Sequence, residues 1–381
     1  MIGVTQRALT QRREDAKIRK EEGLRQAEPD LRSHLRSFAP SRHCVSVAML
    51  IVTCLTTCAS AQEPQAEERL VIVVRGASGT DEYGELFDSW ANRWAKAAKQ
   101  GGTQLVAVGA ENADSEAEPA DEAATDFDLL KSTVSKWAER KEQTGELWLV
   151  LIGHGTFDGR TARFNLQGRD VSAKELEDWL KPVKTPVAFI NCASSSAPFM
   201  KQLAGPGRVL VTATKSGSEQ NFARFGEFMS LAIGDVKFDL DKDGQTSLFE
   251  AFLAASRRTE EFYETEGRLA TEHALLDDNG DGNGVRADWF RGVRAVKTAA
   301  DGAGVDWQAA HQMHLVRSDA EQNLPVEVRR ERDRIEVQVI SLRDRKSSFE
   351  NEDEYYAQLE ALLVALAKIY EPVTATEPAA R

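Results

Sequence analysis

Five apolar, β-branched runs recur along this chain, each closed by glycine or small polar residues: LVIVV at 70–74, LVAVGA at 105–110, LWLVLIGHG at 147–155, VAFINC at 187–192 and VLVTAT at 209–214. Unbroken apolar runs, unlike alternating ones, belong to strands buried on both faces. Between them lie helical patterns. Tyr83, Leu86, Phe87, Trp90 and Trp94 fall at helical spacing, as do segments 127–140 and 173–180, while the acidic stretch at 111–125 reads as a solvated loop. Strand–helix alternation predicts an α/β fold whose mainly parallel sheet is covered on both sides. In such sheets ligands bind beyond the carboxyl ends of the strands.

The start of the chain is different. Residues 1–42 are polar and unpatterned, and 45–61 form an apolar run closing on Ala59, Ser60 and Ala61. A positive flank, a short apolar stretch and an A-x-A exit predict a leader, 1–61, with a signal peptide cut before Gln62. The product would be exported, periplasmic or secreted; the alternative is an anchor through 45–61, which is shorter than the roughly 20 apolar residues of a span. Cys44, Cys54 and Cys58 would leave with the leader, so Cys192 remains as a lone thiol. With 61 acidic against 48 basic residues and no basic patch after residue 42, nucleic acid is not an expected partner.

The sheet-edge rule singles out a pair. His154 stands two residues past the apolar core of the third run, between Gly153 and Gly155, and Cys192 ends the fourth, followed by Ala193 and three serines. Successive strands would present an imidazole and a thiol at one edge, and a thiol becomes a good nucleophile when an imidazole takes its proton.

These blocks resemble the caspase–legumain superfamily of cysteine peptidases, nearest to legumain-like and GPI-transamidase-like bacterial members. LIGHGTFDG is similar to their histidine block, FINCASSSA to their cysteine block, and 211–222 (VTATKSGSEQNF) to the segment bordering their specificity pocket. The resemblance covers about 70–292. It implies a three-layer α/β/α caspase-like fold and a His154–Cys192 dyad hydrolysing peptide bonds without a catalytic cofactor. It also implies an oxyanion hole of the Gly155 and Cys192 N–H groups, and pocket residues among Tyr83, Glu85, Asn191, Ser216 and Glu219. The departures are instructive. Where legumains carry Asn-Tyr-Arg-His, only Tyr83 matches, and Ile190 stands where the family places Glu or Gln. Asparaginyl specificity therefore does not transfer; Glu85 and Glu219 would suit a basic P1 residue. The competing class is a catalytically silent, calcium-binding scaffold of the same fold.

Downstream, Asp239, Asp241, Asp243, Gln245 and Glu250 fit the twelve-position calcium loop, with Gly244 at its sharp turn. Ser247 and Glu250 also satisfy a capping box, which needs no ion. Residues 236–238 read as extended. A weaker loop runs through Asp277, Asn279 and Asp281, with Asp288 in reserve. His273 reads as helical (268–276), and His311 and His314 as neighbours on one helix face. No carboxylate or third ligand stands near those two in sequence, so zinc is not expected there. The domains expected are a peptidase unit at 66–300, a helical region at 301–372 and a disordered tail at 373–381. Val328, Ile335, Val339 and Leu342, then Leu359, Leu362, Leu363, Leu366 and Ile369, predict a helical hairpin joined near 347–351.

Overall fold

The computed structural model describes residues 68–109, 124–141, 144–298 and 305–374; the expected leader, most of the acidic loop and the tail from 375 lie outside the described residues. Strand β1 (Arg69–Arg75) leads into α1 (Asp81–Gln100), β2 (Gln104–Val108) and α2 (Asp126–Ala138). After β3 (Glu146–Ile152) come three short strands, β4 (Gly155–Phe157), β5 (Ala162–Phe164) and β6 (Val171–Ser172), pairing antiparallel as a small sheet. Helix α3 (Ala173–Leu180), β7 (Val187–Asn191), α4 (Ala197–Leu203), β8 (Arg208–Thr212), α5 (Phe225–Ala232) and α6 (Leu248–Thr265) follow. Strand β9 (Leu275–Asp277) completes the main sheet, and β10 (Phe290–Arg291) and β11 (Arg294–Ala295) make a hairpin.

The main sheet has the order β2-β1-β3-β7-β8-β9 and is parallel except for β9, which runs antiparallel on β8. Strand parity divides its side chains. Val71, Val73, Trp148, Val150, Ile152, Ile190, Cys192 and Val211 face one core with Phe87, Trp90 and Trp94 of α1, Phe225 and Met229 of α5, and Phe249 and Phe252 of α6. Leu70, Ile72, Leu149, Leu151, Phe189 and Leu210 face the other, with Leu130 and Trp137 of α2, Leu176 of α3 and Phe199 of α4. This is the three-layer α/β/α architecture expected, with the sheet buried on both sides.

Several local readings are corrected. Residues 236–238 form a 3-10 turn, not an extended segment, because the Asp235 side chain caps the Lys237 N–H. His273 precedes β9 in irregular chain, not in a helix. The helix α7 (Gln308–Gln312) contains His311 but ends before His314. The segment around it belongs to the sheet domain. Ala310, Met313 and Leu315 lie in the first core, Leu248 N–H donates to the Met313 carbonyl at 2.8 Å, and Arg69 donates to the carbonyls of His314 and Leu315. A boundary at residue 300 would cut that core, and the described residues fall within one compact unit.

After α8 (Asp319–Gln322), helices α9 (Val326–Asp344) and α10 (Glu352–Thr374) make the expected hairpin; α10 continues through Thr374, past residue 373 where a disordered tail was expected to begin. Buried Arg332 of α9 pairs with Glu321 at 2.6 Å, and Tyr370 of α10 donates to the same carboxylate.

Helix α5 lies so close to the sheet that a Cβ added at Gly226 would stand 2.7 Å from Cys192 Cβ and 2.8 Å from the Trp90 ring. Gly226→Ala should therefore lower the unfolding free energy by about 1–3 kcal/mol, the usual cost of overpacking, measured by chemical denaturation.

Candidate active site

Strands β3 and β7 pair in parallel with Leu151 opposite Asn191, so Ile152 and Cys192 are the next rungs and His154 lies two residues further along. Even-numbered positions of both strands face the first core; Cys192 packs there, and beyond the end of β3 the His154 ring lies against Phe87 of that same core. Gly155 allows the turn: a Cβ there would meet the Ser194 carbonyl oxygen at 2.3 Å.

The imidazole is held by groups that sequence pattern does not show. His154 Nε2 lies 3.1 Å from the Ser78 carbonyl oxygen, in the turn between β1 and α1. A carbonyl only accepts, so Nε2 carries the proton and the Nδ1 lone pair is left as a base. The ring sits edge-on to Tyr83 at 5.2 Å and Phe87 at 5.3 Å, with Phe222 at 6.3 Å; Phe222 itself stacks on Tyr83 at 4.6 Å. This aromatic wall fixes the imidazole between α1 and the segment after β8. Phe87 and Phe222 were missed as site residues, although Phe222 closes the run flagged as a pocket border.

Cys192 is 1% exposed and packs in the core that holds Trp90. Burial, and secondarily the nearby Glu272 carboxylate, push its thiol well above the ordinary range. Glu272 is itself buried, and accepts from the N–H groups of Arg224 and Phe225 at 2.8 and 3.0 Å and from the Tyr263 hydroxyl at 3.0 Å. In this conformation burial disfavours the thiolate, and the hydrogen bond of the His154 ring goes to Ser78.

The expected oxyanion donors fare unequally. The Cys192 N–H donates to the Leu151 carbonyl at 2.9 Å as a rung of the sheet, so it is not free for a substrate oxygen. The Gly155 N–H makes only a long contact, 3.4 Å, to Ser194 Oγ, which in turn donates to the Gly155 carbonyl. Ser194 is a further residue that spacing alone did not reveal.

Of the residues expected in the pocket, Tyr83 lies against the His154 ring. Glu85 is exposed on another side of α1, two residues from Tyr83 and so about 200° around the helix. Asn191 points to the opposite face of the sheet, accepting from the Ala193 N–H at 3.0 Å. Ser216 contacts Ser218 at 2.8 Å. Glu219 is a structural clamp: its carboxylate takes His273 Nδ1 at 2.6 Å and the Lys215 N–H at 2.8 Å, while its carbonyl takes the Ser195 N–H. That last bond helps hold Ser195 at φ 51°, a left-handed conformation unusual for serine. With Glu85 turned away and Glu219 occupied, the basis for a basic P1 residue is lost.

The calcium loop is also only partly formed as expected. Asp239, Asp241 and Asp243 converge within 4.8 Å, the one such group among the described residues. Glu250 does not join them. It is fully buried, and its oxygens accept from the Leu240 and Asp241 N–H groups and from both Ser247 N–H and Oγ, completing the capping box of α6. The Gln245 side chain accepts from the Ser318 N–H and donates to Asp243. The donor set for calcium therefore does not fit beyond the three aspartates. In the second loop, Asp277 takes the Gly280 and Gly282 N–H groups, Asn279 that of Asp281, and Asp281 that of Asn283, while Asp288 pairs with Lys297. That loop is a self-satisfied turn.

Known proteins add little to this geometry. No family model matches the chain, and no curated protein does. Among solved structures, the Drosophila initiator caspase Dronc is similar over 66% of this chain and 98% of its own, at 12% identity and a TM-score of 0.35. Protein GSU0716 from Geobacter sulfurreducens is similar over 55% of this chain and 92% of its own, at 12% identity and a TM-score of 0.36. No residue role is carried over from either. Among the described residues, no helix is long and apolar enough to cross a membrane.

If Phe222 and its neighbours guard the thiol, Cys192 in the wild type should react slowly with iodoacetamide at neutral pH. Phe222→Ala should raise the rate by about tenfold or more, read by mass spectrometry. Equal rates would remove Phe222 as the barrier.

Proposed function

We propose that the chain is an exported cysteine endopeptidase of caspase–legumain type, acting on protein or peptide substrates through His154 and Cys192. The observation that supports this reading is that the residues just past the ends of paired strands β3 and β7 include His154 and Cys192, both bordering the first core, with Ser78 accepting from His154 Nε2. From that tautomer, His154 Nδ1 takes the thiol proton as sulfur attacks the scissile carbonyl, and the Ser78 carbonyl stabilises the resulting imidazolium. The tetrahedral oxygen can draw the Gly155 N–H away from its long contact with Ser194. Collapse to the acyl-enzyme sends the proton from His154 to the leaving amine, and water then releases the acyl group with the imidazole as base.

The resting thiol is buried, so this chemistry requires a movement that opens Cys192 to substrate. The same burial favours a second reading: a catalytically silent module in which Cys192 is core packing.

Peptide-library cleavage read by mass spectrometry separates the two. Wild type should cleave, Cys192→Ala should not, and His154→Ala should lose about 10²–10⁴-fold in kcat with unchanged circular dichroism. Cleavage that survives Cys192→Ala, or a wild type that cleaves nothing, would contradict the peptidase. For export, N-terminal sequencing of the mature protein should begin near Gln62; a membrane-bound form retaining 45–61 would favour the anchor.

A further inference from the structure

Seven consecutive apolar residues, 361–367 (ALLVALA), stand in the middle of α10. An α-helix turns once in about 3.6 residues, so such a run puts apolar side chains on every face for nearly two turns. A helix of that kind needs cover all round. Helix α10 packs along α9, and one of its sides is covered. Tyr355 is 4% exposed, and Leu359, Leu362, Leu366 and Ile369, at heptad spacing from it, are half-buried. The opposite side is open. Val364, about 160° around the helix from Leu362 and Leu366, is 46% exposed, and Leu363 and Tyr356 flank it at 49% each. Ala357, Ala361 and Ala367 on this side are exposed as well.

The charges on this open face are placed symmetrically. Glu360 and Lys368 are the charged residues of 359–370, one four residues before Val364 and the other four residues after it. Both are exposed. Neither side chain makes an ion pair or a hydrogen bond among the described residues.

We propose that a second copy of this chain covers the face, its α10 running antiparallel to the first about a two-fold axis at Val364. A two-fold contact uses the same patch on both copies, so the patch must be complementary to itself. This one is. With the axis at Val364, position 360 of one copy comes level with position 368 of the other, so Glu360 meets the Lys368 of the second copy, and the pair recurs by symmetry. Val364 then packs at the centre against its own counterpart, and the alanines around it let the two backbones approach. A parallel pairing would instead set Glu360 level with Glu360 and Lys368 level with Lys368, like charge against like. Exposed ion pairs add little energy but choose the orientation, while the apolar face supplies the attraction. The contact does not depend on the chemistry proposed for His154 and Cys192.

The test is sedimentation velocity of the full chain from low to high micromolar concentration. The expected result is a reversible monomer–dimer equilibrium. Glu360→Lys and Lys368→Glu should each weaken dimerisation by roughly tenfold or more, because each sets like charges level with one another. An equimolar mixture of the two variants should recover the association of the wild type, because the mixed dimer restores both pairs. Should either charge variant misfold by circular dichroism, Val364→Glu is read instead and should leave the chain monomeric. A wild type that stays monomeric at every concentration, a dimer indifferent to these variants, or a mixture no tighter than the separate variants would overturn the interface.

Discussion

The register between β3 and β7 is the constraint on which the rest of the site depends. Because side chains alternate along a strand, a one-residue slip would send Cys192 to the opposite core while leaving His154 where it is. The pairing of Leu151 with Asn191 prevents that, and it is fixed by burial on both faces: Leu149 and Phe189 fill one core, Val150 and Ile190 the other. The same rung consumes the Cys192 N–H. One constraint thus brings thiol and imidazole to a common edge and removes a donor that the resemblance assigned to the oxyanion.

Burial has opposite consequences for His154 and Cys192. The imidazole keeps a partner, the Ser78 carbonyl, and an aromatic wall that limits its rotation. The thiol has been moved into an apolar core beside the Glu272 carboxylate, and both effects oppose thiolate formation. The segment 215–223, whose Phe222 borders the His154 ring, is fastened at Glu219, which joins His273, Lys215 and Ser195.

The parts of the fold that were legible in sequence were those written as contiguous apolar runs. β1, β3, β7 and β8 are buried on both faces, so no alternation was needed to recognise them. Three-residue strands such as β4 and β5 carry too few positions for a period, and β9 is set by pairing with β8 rather than by its own pattern. Residues 268–276 read as helical, but their neighbours pin them otherwise: Glu272 caps the start of α5, His273 binds Glu219, and 275–276 enter β9. His154 and Cys192 were readable because each ends an apolar run. Ser78 was not, since it acts through a backbone carbonyl that every residue possesses. His311 and His314 were read as lacking a carboxylate, and tertiary packing supplied two.

The central claim is that His154 and Cys192 form a working pair once the aromatic wall opens. A crystal structure of the protein treated with a peptide aldehyde tests it most directly, because the adduct traps the reacting geometry. The account predicts a hemithioacetal on Cys192 Sγ, His154 Nδ1 within about 3.2 Å of the sulfur or the adduct oxygen, Nε2 still on Ser78, and Phe222 displaced. An unmodified Cys192 still enclosed in its core after treatment, with wild-type and Cys192→Ala crystals indistinguishable, would contradict it.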